Sequence, residues 1–446
     1  MNTDGFSHHP DTLRSIVSDA LAHARAGGAS AAEADVSEGF GQSVTVRRGE
    51  VETIEYNRDK GLSVTVYFGK RRGHASTSDL SPEAVRRTVE AAASIARLTA
   101  ADEFAGLADA DLLATVHEDL DLFHPWPLPV DDAIAMAREC EAAAFAADPR
   151  ITNSEGATVA AHHAQFVYGN SHGFLDGYPS SRHSISCAVI AGRDDGMQRD
   201  DWWTVARTPA ALEAAAEVGT RAGRRAGRRL DARRLGTIQV PVIFESPMAS
   251  GLLGHYVAGV SGGSLYRRQS FLLDSLGQQV FPRFVQIRDV AHRKQGLASS
   301  PFDDEGVATR DRQVVRDGVI EGYFLSSYSA RKLGMRSTGN AGGNHNLTMD
   351  STGEDFGALL KKMGRGLLVT ELLGHGTNMV TGDYSRGAAG FWVEDGELAY
   401  PVQEITVAGN LRDMFAAIVA VGSDVVPRGS RQSGSILIER MTVAGE

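Results

Sequence analysis

The histidines and carboxylates of the chain are the side chains most able to hold a metal ion, and their spacing yields one weak candidate. Glu371 and His375 lie four residues apart, so they would share a face if residues 370–374 were helical. His162 and His163 are neighbours in a predicted strand, where adjacent side chains point to opposite faces. A hydrolytic zinc site needs about three protein ligands and a bound water. One carboxylate and one imidazole fall short of that set, so surface or capping roles are favoured.

A glycine-rich stretch, residues 339–344, has the composition of a phosphate-binding loop but not its pattern. The lysine and the serine or threonine that follow the glycines in a nucleotide-binding loop are absent. Glycines also let another backbone approach closely, which favours contact with an extended peptide. The predicted peptide-binding residues are Asn340, Gly342 and Gly343.

Seven arginines crowd residues 221–234, inside a predicted helix over 210–235. One interpretation is a helix that contacts phosphates; the other is a solvated face whose arginines pair with nearby acids. The stretch has no interleaved aromatic residues, and the chain carries a net charge of −11, which repels nucleic acid. These features favour the solvated face, so nucleic acid is not an expected partner.

Bulk composition describes a globular chain of 446 residues, which is too long for one ordinary core. An apolar share of 42% and a charged share of 23% argue against a disordered protein. The two cysteines, Cys140 and Cys187, cannot form a four-thiolate metal site, and they suit a reducing compartment. The chain shows no signal-peptide pattern and no run of ~20 apolar residues, so a cytoplasmic location without membrane contact is expected.

Hydrophobic periodicity predicts helices mainly in the first half of the chain and short strands throughout. Helices are predicted over 12–26, 82–98, 131–148 and 210–235, and strands in the first half over 34–37, 42–47, 51–56, 62–68, 165–168 and 184–190. In the second half, strands are predicted over 240–244, 312–316, 319–325, 390–393, 398–402 and 435–438. We therefore predict an α+β fold in three parts: an α+β module at 1–125, a second at 126–235 that ends in the arginine-rich helix, and a mainly β, barrel-like or curved-sheet domain at 236–446.

Residues 251–260, Gly-Leu-Leu-Gly-His-Tyr-Val-Ala-Gly-Val, follow the strand predicted at 240–244 and open a helix. This segment resembles the metal-binding helix of the TldD/PmbA metalloprotease family. The stretch Tyr384-Ser385-Arg386-Gly387 is typical of the PmbA (TldE) branch of that family. The resemblance extends over nearly the whole chain through residues 49–52, 169–173, 302–306, 316–320, 329–334, 337–343, 382–390 and 391–396.

Catalytic members of this family carry His-Glu-x-x-x-His on that helix, which supplies two zinc ligands and a general base. The matching positions here hold His255, Tyr256 and Val260, and Ser433 stands where catalytic relatives supply a cysteine ligand. A phenol is a poor base at neutral pH, and valine has no lone pair for a metal. The resemblance therefore implies a chain with no catalytic residue, no metal ligand and no cofactor of its own.

The resemblance also implies a partner and a substrate class. A TldD-like catalytic subunit would hold the zinc and form a heterodimer with this chain. The complex would degrade or mature unfolded and extended peptides, such as microcin-type peptides and antitoxins. An extended peptide would bind by adding a strand to an exposed sheet edge.

Two alternatives stay open from the residues alone. One is a self-sufficient metallopeptidase with a non-standard site built on Glu371 and His375. The other is a nucleic-acid or gyrase-associated regulator that acts through the arginines of 221–234.

Overall fold

Alternating apolar and polar residues in the first half of the chain produce one large antiparallel sheet. The computed structural model of the chain describes residues 5–116 and 118–445, and of Asp195 the backbone only. The strands of this sheet are β1 (Ala31–Arg47), β2 (Glu50–Phe68), β3 (Arg71–Thr77), β4 (Ile151–Asn170), β5 (Leu175–Asp176), β6 (Pro179–Ala191) and β7 (Gln198–Ala206). Their order is β3-β2-β1-β4-β6-β7, with β5 beside β4. The short strands predicted at 34–37 and 42–47 are thus parts of one long strand, and so are those at 51–56 and 62–68.

Helices cover one face of this sheet. They are α1 (Pro10–Ala26), α2 (Pro82–Leu98), α3 (Val130–Ala147) and α4 (Ala215–Arg228). The first two bury Val36 of β1, and the last two bury Val44 of the same strand. Because side chains alternate along a strand, the opposite face carries polar residues such as Glu33 and Asp35. That polar face is turned towards the second half of the chain.

Glycines on α4 allow this helix to pack closely against α3. A Cβ atom on Gly219 would lie 1.8 Å from the carbonyl oxygen of Cys140, so only glycine allows this approach. The arginines are consequently left on the side of α4 that faces away from α3. The helix is shorter than the predicted 210–235, because Pro209 stands in a separate turn and Asp231 takes a φ of 61°, which a helix does not allow.

The second half of the chain is mainly β. Its strands are β8 (Ile238–Phe244), β9 (Ile287–Val290), β10 (Arg312–Arg316), β11 (Val319–Ile320), β12 (Asn346–Met349), β13 (Gly366–Leu373), β14 (Asp383–Glu394), β15 (Glu397–Asn410), β16 (Ile418–Val421), β17 (Arg431–Gln432) and β18 (Ile436–Ala444). Its helices are α5 (Ser246–Gly259), α6 (Gly262–Tyr266), α7 (Ser327–Lys332), α8 (Phe356–Met363) and α9 (Leu411–Ala416). The strand predicted at 319–325 is wrong beyond residue 320, since the chain there takes an irregular path and Arg312 donates to the carbonyl of Tyr323.

Within the described residues, five strands close into a ring in the order β15-β14-β13-β8-β18. Pairing of Val407 with Val443 joins β15 to β18 and completes the circle. A smaller sheet with the order β11-β10-β9-β12-β17 lies beside the ring. These features confirm the predicted α+β class and the barrel-like C-terminal part.

The division at residues 125 and 235 stays a prediction. Strands from both sides of residue 125 share the first sheet. Polar contacts join that sheet region to the β-rich half, including a 2.6 Å hydrogen bond from Tyr328 to Asp102. No helix in the described ranges combines the length and apolar character needed to cross a bilayer.

Candidate functional site

Helix α5 carries the sequence positions that resemble a metal-binding motif. Pro247 lies in its first turn, where the missing N–H leaves no hydrogen bond unmade. The backbone carbonyl of Glu245 accepts the N–H groups of Met248 and Ala249 and so starts the helix. The helix is apolar on most sides, as expected of a helix that is buried between the strands it contacts, β8, β13 and β17.

Two of the motif positions point into the hydrophobic core. Tyr256 is fully buried, with its ring edge-on to Phe281 and Phe324. Its hydroxyl donates one long hydrogen bond, 3.4 Å, to the carbonyl of Val314. Burial raises the pKa of Tyr256 above its usual range, so the phenol keeps its proton at neutral pH. Val260 is also fully buried.

His255 lies on a different face of α5, half-buried and close to positive charge. Its ring meets Tyr384 edge-on, with 5.8 Å between the ring centroids. Burial, followed by the charges of Arg386 and Arg431, lowers the pKa of the His255 imidazole below its usual range. A Cβ atom on the neighbouring Gly254 would lie 3.0 Å from Nη1 of Arg431, which shows how closely that guanidinium approaches the helix. These surroundings repel a metal cation.

Ser433 is buried and hydrogen-bonded to the backbone. Its hydroxyl donates to the carbonyl of Gly434 at 2.9 Å, and its own carbonyl accepts the hydroxyl of Ser246 at 2.8 Å. No hydrogen bond joins Ser433 to His255 in the described part of the chain. Together the four positions offer one imidazole, no carboxylate and no thiolate, which does not fit the zinc ion of the family. The described residues also contain no cluster of three or more His, Cys, Asp or Glu side chains suited to a metal.

Glu371 and His375 do not share a helical face, because the helix on which that candidate depended is not formed. Residues 366–373 form β13, which pairs with β8 on one side and β14 on the other. The carboxylate of Glu371 accepts a hydrogen bond from Arg229, whereas His375 is exposed after the end of the strand. Pairing with β14 continues to residue 373 and makes this segment a strand.

A cavity of about 950 Å³ separates the polar face of the first sheet from the β-rich half. The sheet contributes Glu33 and Asp35 to its wall, and the second half contributes Asp304, Glu305 and Gly342. Burial raises the pKa of Asp35, Asp304 and Glu305 above their usual range. The cavity therefore brings together partly buried carboxylates from distant parts of the sequence.

The predicted peptide-binding residues have different surroundings. Gly342 lines the cavity, and a Cβ atom there would come within 2.5 Å of the Asp304 carboxylate. Gly343 has a φ of 116° and open space where a side chain would begin. Asn340 is buried, and its amide oxygen accepts a 2.7 Å hydrogen bond from Arg312. Their contact with a peptide stays a prediction.

Two arginines of the arginine-rich segment form ion pairs inside the protein. Arg225 donates to Asp200 at 3.1 Å and to both carboxylate oxygens of Glu245, at 2.8 and 3.1 Å. Arg229 is buried and pairs with Glu371. The predicted pairing with acids is present, but the predicted solvated face is wrong for Arg225 and Arg229. The acids come from β7, the start of α5 and β13, which only the tertiary fold brings to α4.

Sequence reasoning missed the arginines around α5. Arg386 belongs to β14. Arg431 begins β17, and Arg428 lies three residues before it. Arg386 belongs to the segment 384–387 that is typical of the PmbA branch, and Arg431 lies two residues before Ser433, yet no spacing rule links them to His255. Their proximity follows from the closure of the ring and its contact with the smaller sheet.

Models of three protein domains match the chain in order. They are the PmbA/TldA metallopeptidase domain 1 at residues 32–96, the central domain at 123–230 and the C-terminal domain at 237–445. Together they account for most of the sequence.

Curated relatives match over nearly their full length. The chain is 50% identical to Metalloprotease PmbA of Escherichia coli O157:H7, over 97% of this chain and 96% of that protein. It is 48% identical to the Metalloprotease PmbA homolog of Haemophilus influenzae, with the same coverage of both chains.

Solved structures share the whole architecture. A Bacteroides thetaiotaomicron protein, named as a proposed modulator of DNA gyrase, superposes with a TM-score of 0.93 at 26% identity, over 98% of this chain and 99% of that one. TldE from Thermococcus kodakarensis superposes with a TM-score of 0.85 over 96% of this chain and 100% of that one, and at 19% identity this shows a common fold. The full-length identity to PmbA proteins and the matching domain models show that the chain belongs to the PmbA/TldD metallopeptidase family, on its PmbA (TldE) branch.

Proposed function

We propose that this chain is the subunit of a TldD/TldE-like zinc protease that has no zinc site of its own. The environment of α5 carries the proposal. Tyr256 and Val260 are packed in the core, where neither can reach a metal or a water molecule. His255 stands beside Arg386 and Arg431, and one imidazole in a cationic environment does not retain zinc.

In this proposal a TldD-like partner supplies the zinc and the general base, and the present chain contributes part of an enclosing cavity. The two chains form a heterodimer in the cytoplasm. The substrates are unfolded or extended peptides, of which microcin-type peptides and antitoxins are the examples that the family resemblance suggests. The cavity of about 950 Å³, with Gly342 and Gly343 at or near its wall, supports a site of peptide size.

An open strand edge offers a way to bind an extended peptide without reading its sequence. Strand β3 pairs only with residues 62–68 of β2, so residues 50–61 have no strand on that side within the described chain. This edge exposes Val51, Ile54 and Tyr56. Unpaired N–H and C=O groups on such an edge accept another strand through main-chain hydrogen bonds. We assign strand addition by the substrate to this edge.

The test is to purify the chain alone, measure its metal content by mass spectrometry and assay peptide hydrolysis before and after adding a TldD-like protein. We expect no stoichiometric zinc and no hydrolysis by the chain alone, with activity appearing on mixing. Native mass spectrometry of the mixture should show one copy of each chain. Hydrolysis by the isolated chain with bound zinc would instead support the self-sufficient metallopeptidase.

His255→Ala separates a vestigial histidine from a working one. In the mixed complex we expect the variant to retain at least about half of the wild-type rate, which is a loss below about 0.5 kcal/mol, because His255 has no second ligand to act with. Circular dichroism and native mass spectrometry check folding and pairing, and Arg224→Ala on the exposed side of α4 is the matched control. Loss of hydrolysis by a folded, paired His255→Ala chain would contradict the proposal.

A further inference from the structure

A second cavity, which we call the arginine pocket, lies at the junction of β7, α4, α5, β13 and residues 426–431. Its volume is about 520 Å³. Arginines come to its wall from both halves of the chain, among them Arg182, Arg225 and Arg428. The pocket borders the degenerate helix, since Pro247, Met248 and Ser250 of α5 line it.

Every carboxylate that lines the arginine pocket is already ion-paired. The pairs are Asp200 with Arg225 at 3.1 Å, Asp201 with Arg199 at 2.7 Å, and Glu371 with Arg229. Three further arginines of the wall, Arg182, Arg428 and Arg431, have no carboxylate within ion-pair distance in the described residues. The pocket therefore carries an excess of positive charge.

Of these three arginines, Arg428 has the most closely defined position. Its guanidinium lies 3.9 Å from the ring centroid of Trp202 and 4.8 Å from that of Trp203, so aromatic faces hold it in place. Its Nε and Nη2 atoms are buried, and no acceptor of the described chain reaches them. Burial, followed by the charge of Arg225, lowers the pKa of Arg428 to about 10, although the more distant charges of Asp201, Glu213 and Glu245 act in the opposite direction. Buried donors without acceptors destabilise a fold unless another molecule satisfies them.

We propose that the arginine pocket binds a carboxylate group of a peptide substrate or product. A carboxylate matches the planar fork of a guanidinium, and it would supply the acceptors that Arg428 lacks. Apolar side chains of Met248, Leu372 and Val426 line the same cavity, which suits a peptide chain better than a compact inorganic anion. The carboxylate comes from the C-terminus of the peptide or from an acidic side chain. The inference rests on the proposed function, because it takes peptides as the ligands of this chain.

The positive charge beside the arginine pocket also disfavours a metal ion at α5. Arg431 closely approaches α5 at Gly254 and lowers the proton affinity of His255. Where catalytic relatives are expected to hold a cation, this chain presents cations of its own. An anionic end of a peptide would therefore be attracted to the region from which zinc is repelled.

Calorimetric titration of the isolated chain tests the proposal with four short peptides. The probes are an acetylated Gly/Ala pentapeptide as free acid, the same peptide as C-terminal amide, and two amides that carry one internal Glu or one internal Gln. We expect a carboxylate-bearing probe to bind at least about tenfold more tightly than its neutral counterpart, a difference of about 1.4 kcal/mol. Preference in the first pair identifies the C-terminus as the source, and preference in the second identifies a side chain.

Substitutions assign the binding to the arginine pocket. Arg428→Met and the more exposed Arg431→Met should each weaken binding of the preferred probe by about tenfold or more, which is about 1.4 kcal/mol. Arg224→Met, on the exposed side of α4, should stay within about twofold, or about 0.4 kcal/mol. Arg428→Met should leave the thermal midpoint unchanged or raise it, because methionine can keep the contact with Trp202 while it removes buried donors that have no acceptor. A purely structural arginine would lower the midpoint.

Equal affinity for acids and amides, absence of binding, wild-type affinity in both pocket variants, or stronger binding of inorganic phosphate than of the peptides would each overturn the proposal. The titration needs neither zinc nor a second chain. If acids bind selectively but mixing with a TldD-like protein yields no hydrolysis, only the proposed function fails. If mixing yields hydrolysis but acids and amides bind alike, only the arginine pocket fails.

Discussion

At the scale of single residues, neighbouring positions on α5 have unlike surroundings. His255 faces Tyr384 and the charges of Arg386 and Arg431. Tyr256, one residue later, is enclosed by aromatic side chains of the core. A carboxylate at position 256 would therefore be a buried charge among aromatic rings, and the nearby cation, Arg312, is already paired with Asp289. In this chain position 256 is therefore a packing position of the core.

Substitutions at Tyr256 measure that change. Tyr256→Phe should lower the free energy of unfolding by about 1 kcal/mol or less, because the hydroxyl makes one long hydrogen bond. Tyr256→Glu should lower it by about 3 kcal/mol or more, because a charge in this core is desolvated and the nearby Arg312 is already paired with Asp289. Urea unfolding followed by circular dichroism distinguishes the two. Equal tolerance of both residues would mean that position 256 is open to solvent.

At the scale of elements, a buried histidine links β4 to the connector before α3. His163 accepts the N–H of Trp126 at 3.0 Å through Nε2, which places its own proton on Nδ1. That Nδ1 is buried and has no acceptor in the described chain. Burial, and then the charges of His183 and His162, lowers the pKa of His163 to about 4. The folded protein therefore resists protonation at this position.

This resistance makes the fold sensitive to acid. Below about pH 6.5 the unfolded chain binds a proton at His163, whereas the folded chain does not until about pH 4. The free energy of unfolding should therefore decrease as the pH is lowered from about 6.5 to about 4. His163 contributes up to about 3 kcal/mol to this loss. His163→Gln, which keeps an acceptor for Trp126, should flatten the curve of unfolding free energy against pH. The exposed His375→Gln should leave the slope as in the wild type, and equal slopes in both variants would contradict the prediction.

Helix α4 joins the two halves of the chain through Arg225. Arg225→Met leaves Asp200 and Glu245 facing each other without their shared cation, so the free energy of unfolding should fall by about 3 kcal/mol. Arg224→Met on the same helix is exposed and should change it by less than about 0.5 kcal/mol. Denaturant titration of both variants makes the comparison. Similar losses in both would mean that the ion pairs are not what stabilises this junction.

At the scale of the whole molecule, net charge and internal pairing argue against the nucleic-acid regulator. The chain carries a net charge of −11, and Arg225 and Arg229 are engaged with acids inside the protein. We expect no retention on duplex DNA at physiological salt, measured by electrophoretic mobility shift. Retention that disappears in an Arg224→Ala/Arg228→Ala chain, which changes only exposed arginines of α4, would restore that hypothesis.

Local patterns in the sequence predicted much of the architecture. The helix predicted over 82–98 coincides with α2, which Ser81 caps, and the strand predicted over 62–68 forms the end of β2. These signals are reliable because a capped helix end or an alternating strand depends on near neighbours. The identities of Tyr256 and Val260 were equally visible, because residue types are read directly from the sequence.

The tertiary structure alone decided what surrounds those positions. Pairing of β15 with β18 closes the ring, and the contact of α5 with β17 brings Arg431 to His255. Arg428 of the second half contacts Trp202 of the first half, so its surroundings depend on how the two halves pack together. Sequence periodicity specifies which face of an element is apolar, but not which distant element covers it. The positive charge around α5 therefore depends on long-range packing, which local spacing does not encode.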